Sequence, residues 1–135
     1  MAKIVEREIS AQLRSPVEKV WATVTDNRRT GWRSDLARVE VAENGNSFTE
    51  YTPQGFATKF TITEKDPCRR YAFQMRNANL RGDWTGEFSE RDGGCRVRFT
   101  ERVTVERFPM TILAEAYLKK QQRRYLEDLK KALNE

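Results

Sequence analysis

The sequence predicts an α+β fold: a curved seven-stranded antiparallel sheet around a long C-terminal helix, with two short helices between strands one and two. Three observations carry this. Residues 4–13 alternate between apolar and polar side chains, the period of a half-buried strand. Between residues 57 and 107, successive runs keep their large apolar side chains on one parity when folded into hairpins. Beyond Pro109, apolar residues recur by threes and fours as far as Leu133, the period of a helix.

In the first strand Val5, Ile9, Ala11 and Leu13 share one face, and Glu6, Glu8, Ser10 and Gln12 the other. Ser15-Pro16-Val17-Glu18 then reads as a helix start, with Ser15 as cap, Pro16 at the first helical position and Glu18 closing a capping box. Val17, Val20, Trp21 and Val24 form its apolar stripe, and Asp26-Asn27 ends it. Residues 27–36 are expected to hold the second short helix, carrying Trp32 and Leu36.

From Ala37 to Arg107 the chain reads as a meander, punctuated at Asn44-Gly45, Pro53-Gln54-Gly55, Asp66-Pro67, Asn77-Ala78-Asn79 and Asp92-Gly93-Gly94. Loops at 65–68, 78–79 and 91–94 set Phe60 opposite Phe73, Phe73 opposite Trp84, and Trp84 opposite Glu101. The neighbouring rows become Ile62, Tyr71, Gly86, Phe99 and Thr58, Met75, Gly82, Val103. Gly82 and Gly86 flank Trp84 on the inner face, where glycine lets a sheet bend. In strands two and three, a two-residue Asn44-Gly45 turn puts Phe48 inside, whereas Tyr51 needs the opposite parity. Either a three-residue loop or a bulge reconciles them. In the final helix the apolar positions are Leu113, Tyr117, Leu118, Tyr125, Leu126, Leu129 and Leu133. Lysines and arginines crowd its second half, where the helix dipole favours positive charge.

A chain of 135 residues is the size of one domain, and no linker or repeat divides residues 1–135. It has no histidine and only two cysteines, which removes Ser-His, Cys-His and His-metal chemistry together. No metal and no cofactor is expected, and proton transfer would fall to Asp, Glu, Tyr, Lys, Arg or water. Cys68 and Cys95 start strands about two strand spacings (~9.5 Å) apart, too far for a disulfide. The first residues lack the apolar stretch of a signal peptide, and no run approaches the ~18 apolar residues of a membrane span. A cytoplasmic location is expected. The net charge of +5 could suggest nucleic acid, but its signs are interleaved. Arg81, Asp83, Glu87 and Arg91 share one strand face, and Arg96, Arg98, Arg102 and Glu106 another. A solvated outer sheet with cross-strand ion pairs accounts for them, so nucleic acid is not the expected partner. Oligomeric state is not legible in the sequence.

The order strand, two helices, six-strand meander and long terminal helix resembles the helix-grip fold of the START/SRPBCC superfamily. The local wording is similar too. Ser15-Pro16-Val17-Glu18-Lys19-Val20-Trp21, then Asp26 and Trp32, resembles the opening of the polyketide cyclase/dehydrase-like branch. The turn at Asn44-Gly45, the hairpin at Gly93-Gly94 and the closing Leu126-Glu127-Asp128-Leu129-Lys130 extend the likeness over the whole chain. The resemblance implies a cavity between sheet and helix that binds lipids, polyketides, hormones or quinones, and in some members an enzyme. No catalytic motif runs through the superfamily, so no catalytic residue carries over.

Glu101 is the one candidate for chemistry, a carboxylate in the middle of the apolar face Cys95, Val97, Phe99, Val103, Val105. Facing a cavity it would be desolvated and its pKa raised; the alternative is an ion pair with an inward-reaching arginine. Phe60, Phe73, Met75, Trp84 and Phe99 are expected to form both core and cavity wall, with Tyr51 on a neighbouring strand. Leu113, Tyr117, Gln121 and Tyr125 lie on the helix side toward the sheet, and the resemblance implies that Trp32 stands at the pocket mouth. The leading reading is binding of a small apolar or amphipathic molecule in a pocket of roughly 300–1,000 Å³. The alternatives are a cyclase/dehydratase-like enzyme using Glu101 with a tyrosine, and a module that binds protein or nucleic acid.

Overall fold

The computed structural model describes residues 2–107 and the backbone of 110–135, with side chains from Thr111 onward. Pro109, expected just before the last helix, lies outside the described residues. The elements are β1 (Lys3–Leu13), α1 (Val17–Thr25), β2 (Arg38–Val41), β3 (Ser47–Tyr51), β4 (Ala57–Asp66), β5 (Arg70–Arg76), β6 (Leu80–Arg91), β7 (Gly94–Val105) and α2 (Met110–Ala132). The seven strands form one curved antiparallel sheet in the order β1-β7-β6-β5-β4-β3-β2. The first strand therefore crosses over to pair with the last, Val5 opposite Val103 and Leu13 opposite Cys95. Helices and sheet enclose a core that includes Leu13, Val20, Val97, Phe99, Leu118 and Leu129.

Four local expectations are corrected. Helix α1 starts as expected, but Pro16 is its cap residue and no side chain caps it. The Ser15 hydroxyl instead donates to the Glu135 carboxylate at 2.7 Å, which also accepts the Arg14 and Ser15 amides. The second short helix does not form. Residues 27–36 run through turns, such as Arg33 N–H to Thr30 C=O at 2.9 Å. The reason is competition: the Ser34 amide bonds to a side chain of α2, Asp128, so a helical repeat is not available to it.

The sheet register holds for Phe73 opposite Trp84 and for Trp84 opposite Glu101. On β4 it slides by two: Phe60 faces Met75 and Ile62 faces Phe73. The turn there occupies 67–69, with Cys68 left-handed at φ 61°, and a bulge after Ile62 absorbs the extra residue. A shift of two preserves parity, which is why the inner face survives the error. Finally, the loop between β2 and β3 has five residues, 42–46, with Gly45 at φ 74°. Phe48 is buried. Tyr51 falls on the outer face, its ring under the Arg38 guanidinium at 3.8 Å and its hydroxyl on Glu40 at 3.2 Å.

The outer face carries cross-strand ion pairs: Arg98 reaches Glu87 at 2.7 Å and Glu8 at 3.5 Å, and Arg81 reaches Glu106 at 2.6 Å. Exposed pairs of this kind are screened by solvent and add little to stability. No helix among the described residues is long and apolar enough to cross a membrane.

Candidate functional site

The site exists because α2 does not lie over the middle of the sheet. Its first half buries Ala114, Leu118 and Gln122, and the Gln122 amide donates to the Arg7 carbonyl of β1 at 2.9 Å. Its contacts with the sheet are concentrated on β1 and β7. The inner faces of β3–β6 are left partly uncovered, and a cavity of about 180 Å³ remains beneath the helix. That is smaller than the 300–1,000 Å³ expected. A cavity of roughly 150 Å³ is enough to take up benzene, so the space suits one or two rings rather than a long acyl chain.

Aromatic stacking accounts for the small size. Phe73 stacks on Trp84 with centroids 4.8 Å apart, Trp84 on Phe99 at 5.2 Å, and Phe48 on Phe60 at 4.8 Å. Tyr125 reaches down from α2 to meet the edge of Phe99 at 5.5 Å. Trp84 has room because Gly86, two residues along the same face, lacks a side chain; a Cβ there would lie 2.6 Å from the Trp84 ring. Phe60, Met75 and Phe56 continue the apolar wall toward Leu80.

One part of the lining is polar and charged. Arg33 donates two hydrogen bonds to Asp35, both at 3.0 Å, and two longer ones to Glu50 at 3.3 and 3.5 Å. The three side chains are only 14–20% exposed. The segment bearing Arg33 and Asp35 is fastened to α2. Asp128, itself buried, accepts the Ser34 amide and hydroxyl at 2.8 Å, and Arg124 bonds the Ser34 hydroxyl and carbonyl. Burial opposes the Arg33 charge, but the Glu50 and Asp35 carboxylates more than offset it and hold the guanidinium ionised. Glu50 is pushed upward by burial, with Arg33 pulling the other way.

Glu101 is different. It faces the cavity with no hydrogen bond or ion pair among the described residues, and burial together with the Glu50 charge pushes it up to about 7. Glu50 and Glu101 stand on β3 and β7, four ladders apart, yet Glu101 feels the Glu50 charge because the sheet curls around the cavity. Burial also raises Tyr71 and Tyr125, so both phenols are neutral donors. Among the described residues no three acidic or cysteine side chains group to hold a metal ion, and Cys68 and Cys95 are free thiols.

Of the residues singled out from sequence, Phe60, Phe73, Met75, Trp84, Phe99, Glu101, Tyr117 and Gln121 converge on the cavity. Three do not. Tyr51 is on the outer face, as described. Leu113 is 52% exposed, because the buried stripe of α2 runs through the smaller Ala114 beside it. Trp32 packs edge-on to Tyr125 at 5.4 Å behind the lining, its indole N–H buried without a partner. Sequence reasoning missed Arg33, Asp35 and Glu50. Glu50 was within reach, since it follows Phe48 by two residues and so shares its inward face. Arg33 and Asp35 sit in an aperiodic segment that gives no such signal.

The family described as polyketide cyclase / dehydrase and lipid transport matches residues 4–134. Among solved structures, the Zhui aromatase/cyclase from Streptomyces sp. R1128 superposes with a TM-score of 0.82 at 12% identity, over 94% of this chain and 92% of that one. The Mll3558 protein from Rhizobium loti gives 0.79 at 16% identity, over 96% of both chains. The di-domain ARO/CYC StfQ of the steffimycin biosynthetic pathway gives 0.78 at 16% identity, over 94% of this chain and 49% of that one. At these identities the likeness is one of fold. No curated protein matches the chain in sequence.

Proposed function

The chain belongs to the polyketide cyclase / dehydrase and lipid transport family, and from that premise we propose that it binds a small amphipathic molecule in the cavity beneath α2. The supporting observation is the composition of the lining. Stacked rings, Phe73, Trp84, Phe99 and Phe60, make an apolar body, while Glu101 presents a carboxyl with no hydrogen-bond partner among the described residues. A ligand that hydrogen-bonds to that carboxyl would replace water at a half-buried polar group. In this reading Met75, Tyr117 and Gln121 contact the same ligand. Native mass spectrometry of the protein as purified, set against its denatured mass, is expected to reveal a bound species lost on unfolding. Its absence, together with no thermal stabilisation by any member of a library of small aromatic compounds, would remove the proposal.

A second reading is favoured by one observation. A carboxyl pushed up to about 7, lining the same cavity as the neutral Tyr125 phenol, is poised to accept and return a proton near neutral pH. Glu101 with Tyr125 would then move a proton on a bound polyketide-like substrate. Glu101→Gln is expected to abolish such turnover with the fold unchanged by circular dichroism. Activity retained in that variant would rule out this role for Glu101.

A further inference from the structure

Two features of the cavity together point to the chemistry of its ligand. The first is the charge of the lining. Among the described residues its ionisable carboxyls are Asp35, Glu50 and Glu101, and its one cation is Arg33. That cation is already occupied, bonded twice by Asp35 and twice by Glu50, so it has little left to offer an incoming anion. The second is the position of Glu101. It stands opposite Trp84 across the β6–β7 ladder, on a wall continued by Phe99 and Tyr125. Arg7, opposite Glu101 on β1, has its Nε buried without a partner, but among the described residues it makes no ion pair with Glu101 and does not line the cavity.

Resting on the reading that this cavity binds a small molecule, we infer that it selects an organic cation: a small aromatic amine whose ammonium group seats against Glu101 while its ring packs on Trp84 and Phe99. A carboxylic acid would bring a fourth carboxyl beside three, with Arg33 already taken. A neutral alcohol would satisfy one Glu101 oxygen but leave the excess negative charge uncompensated. An ammonium ion supplies both the missing hydrogen-bond donors and the missing charge. The ionisable groups that share the cavity with Glu101 are Glu50 from β3, Arg33 and Asp35 from the segment before β2, Tyr71 from β5 and Tyr125 from α2, and of these Glu50 and Arg33 act on its charge. The two tyrosines stay neutral, and burial raises Glu50 as well as Glu101, so the Glu101→Gln variant is what assigns the pH dependence to Glu101.

The test uses three probes of one shape: 2-phenylethylamine, 2-phenylethanol and phenylacetic acid, titrated calorimetrically into the whole protein at about pH 6 and about pH 8. The amine remains protonated throughout, as an alkyl ammonium does. At the higher pH it is expected to bind at least about tenfold more tightly than the alcohol, with the acid weakest. Since Glu101 passes from mostly protonated to mostly ionised over that interval, amine affinity is expected to rise about tenfold while alcohol affinity stays flat. Glu101→Gln is expected to erase both the amine preference and its pH dependence while the alcohol still binds. If that variant does not fold, the pH series on the unaltered protein decides alone. Equal binding of amine and alcohol, or tightest binding of the acid, overturns the inference and leaves the cavity a binding site. Failure of all three probes at millimolar concentration removes both.

Discussion

Replacing Glu101 by glutamine removes one ionisable group and little else, so its effect on stability can be worked out in sign and size. Burial and the Glu50 charge raise the folded-state value from 4.5 to about 7. The folded protein then keeps a proton that the unfolded chain has already released. Stability must fall as pH climbs from about 4.5 to about 7 and level off above, because the folded state binds more protons across that interval. At 1.36 kcal/mol per pH unit, the cost at and above pH 7 reaches about 3 kcal/mol. Glutamine never pays it. Its buried amide brings a separate penalty of about 1–3 kcal/mol, but that penalty does not vary with pH. Urea unfolding of both proteins at several pH values between about 4.5 and 8 isolates the two parts. The stability difference, variant minus parent, is expected to grow by about 3 kcal/mol across the range and then stay constant. A difference independent of pH would mean that Glu101 reaches bulk water, and the reasoning about the cavity's polar lining would be wrong.

Other perturbations probe the scaffold. Gly82→Ala and Gly86→Ala differ in what a new Cβ meets: the Arg102 carbonyl oxygen at 2.2 Å in the first case, the movable Trp84 ring at 2.6 Å in the second. Denaturant melts are expected to show Gly86→Ala losing about 1–3 kcal/mol and Gly82→Ala losing more, since a backbone atom cannot swing aside. Asp128→Ala leaves the Ser34 amide and the Ser34 hydroxyl proton without their acceptor and is expected to cost about 1–3 kcal/mol by the same melts. Arg33→Met strands Asp35 and Glu50, with an expected loss of about 3–5 kcal/mol at neutral pH. That loss should shrink in acid, because burial already biases Glu50 toward protonation.

The parts of the fold legible in the sequence are those in which one period repeats. Trp84 could be set against Glu101 because a two-residue Asp92-Gly93 turn fixes the β6–β7 register, and apolar alternation on both strands agrees with it. The β4–β5 pairing slipped because its turn lies at 67–69, later than the Asp66-Pro67 signal suggested, and the bulge after Ile62, which has no compositional mark, trims the offset to two, so that Phe60 and Phe73 stay inside. On α2, size misled: Leu113 is the larger residue, yet Ala114 is the one that fits against the sheet. The candidate site was half legible for the same reason. Its aromatic wall and Glu101 lie on regular strands. Arg33 and Asp35 are placed instead by bonds from Ser34 to Asp128 and Arg124, some ninety residues away along the chain. Contacts of that kind leave no trace in local periodicity.

The most direct test of the account is whether the space under α2 admits a guest. Met75 is buried and lines the cavity, so its methyl group, labelled with carbon-13, reports from within. Titration with indole, followed by proton–carbon correlation spectra, is predicted to move the Met75 methyl signal saturably and to raise the melting temperature in step. A Met75 signal that stays fixed at every indole concentration, with melting unchanged, would contradict the claim that this interior is open.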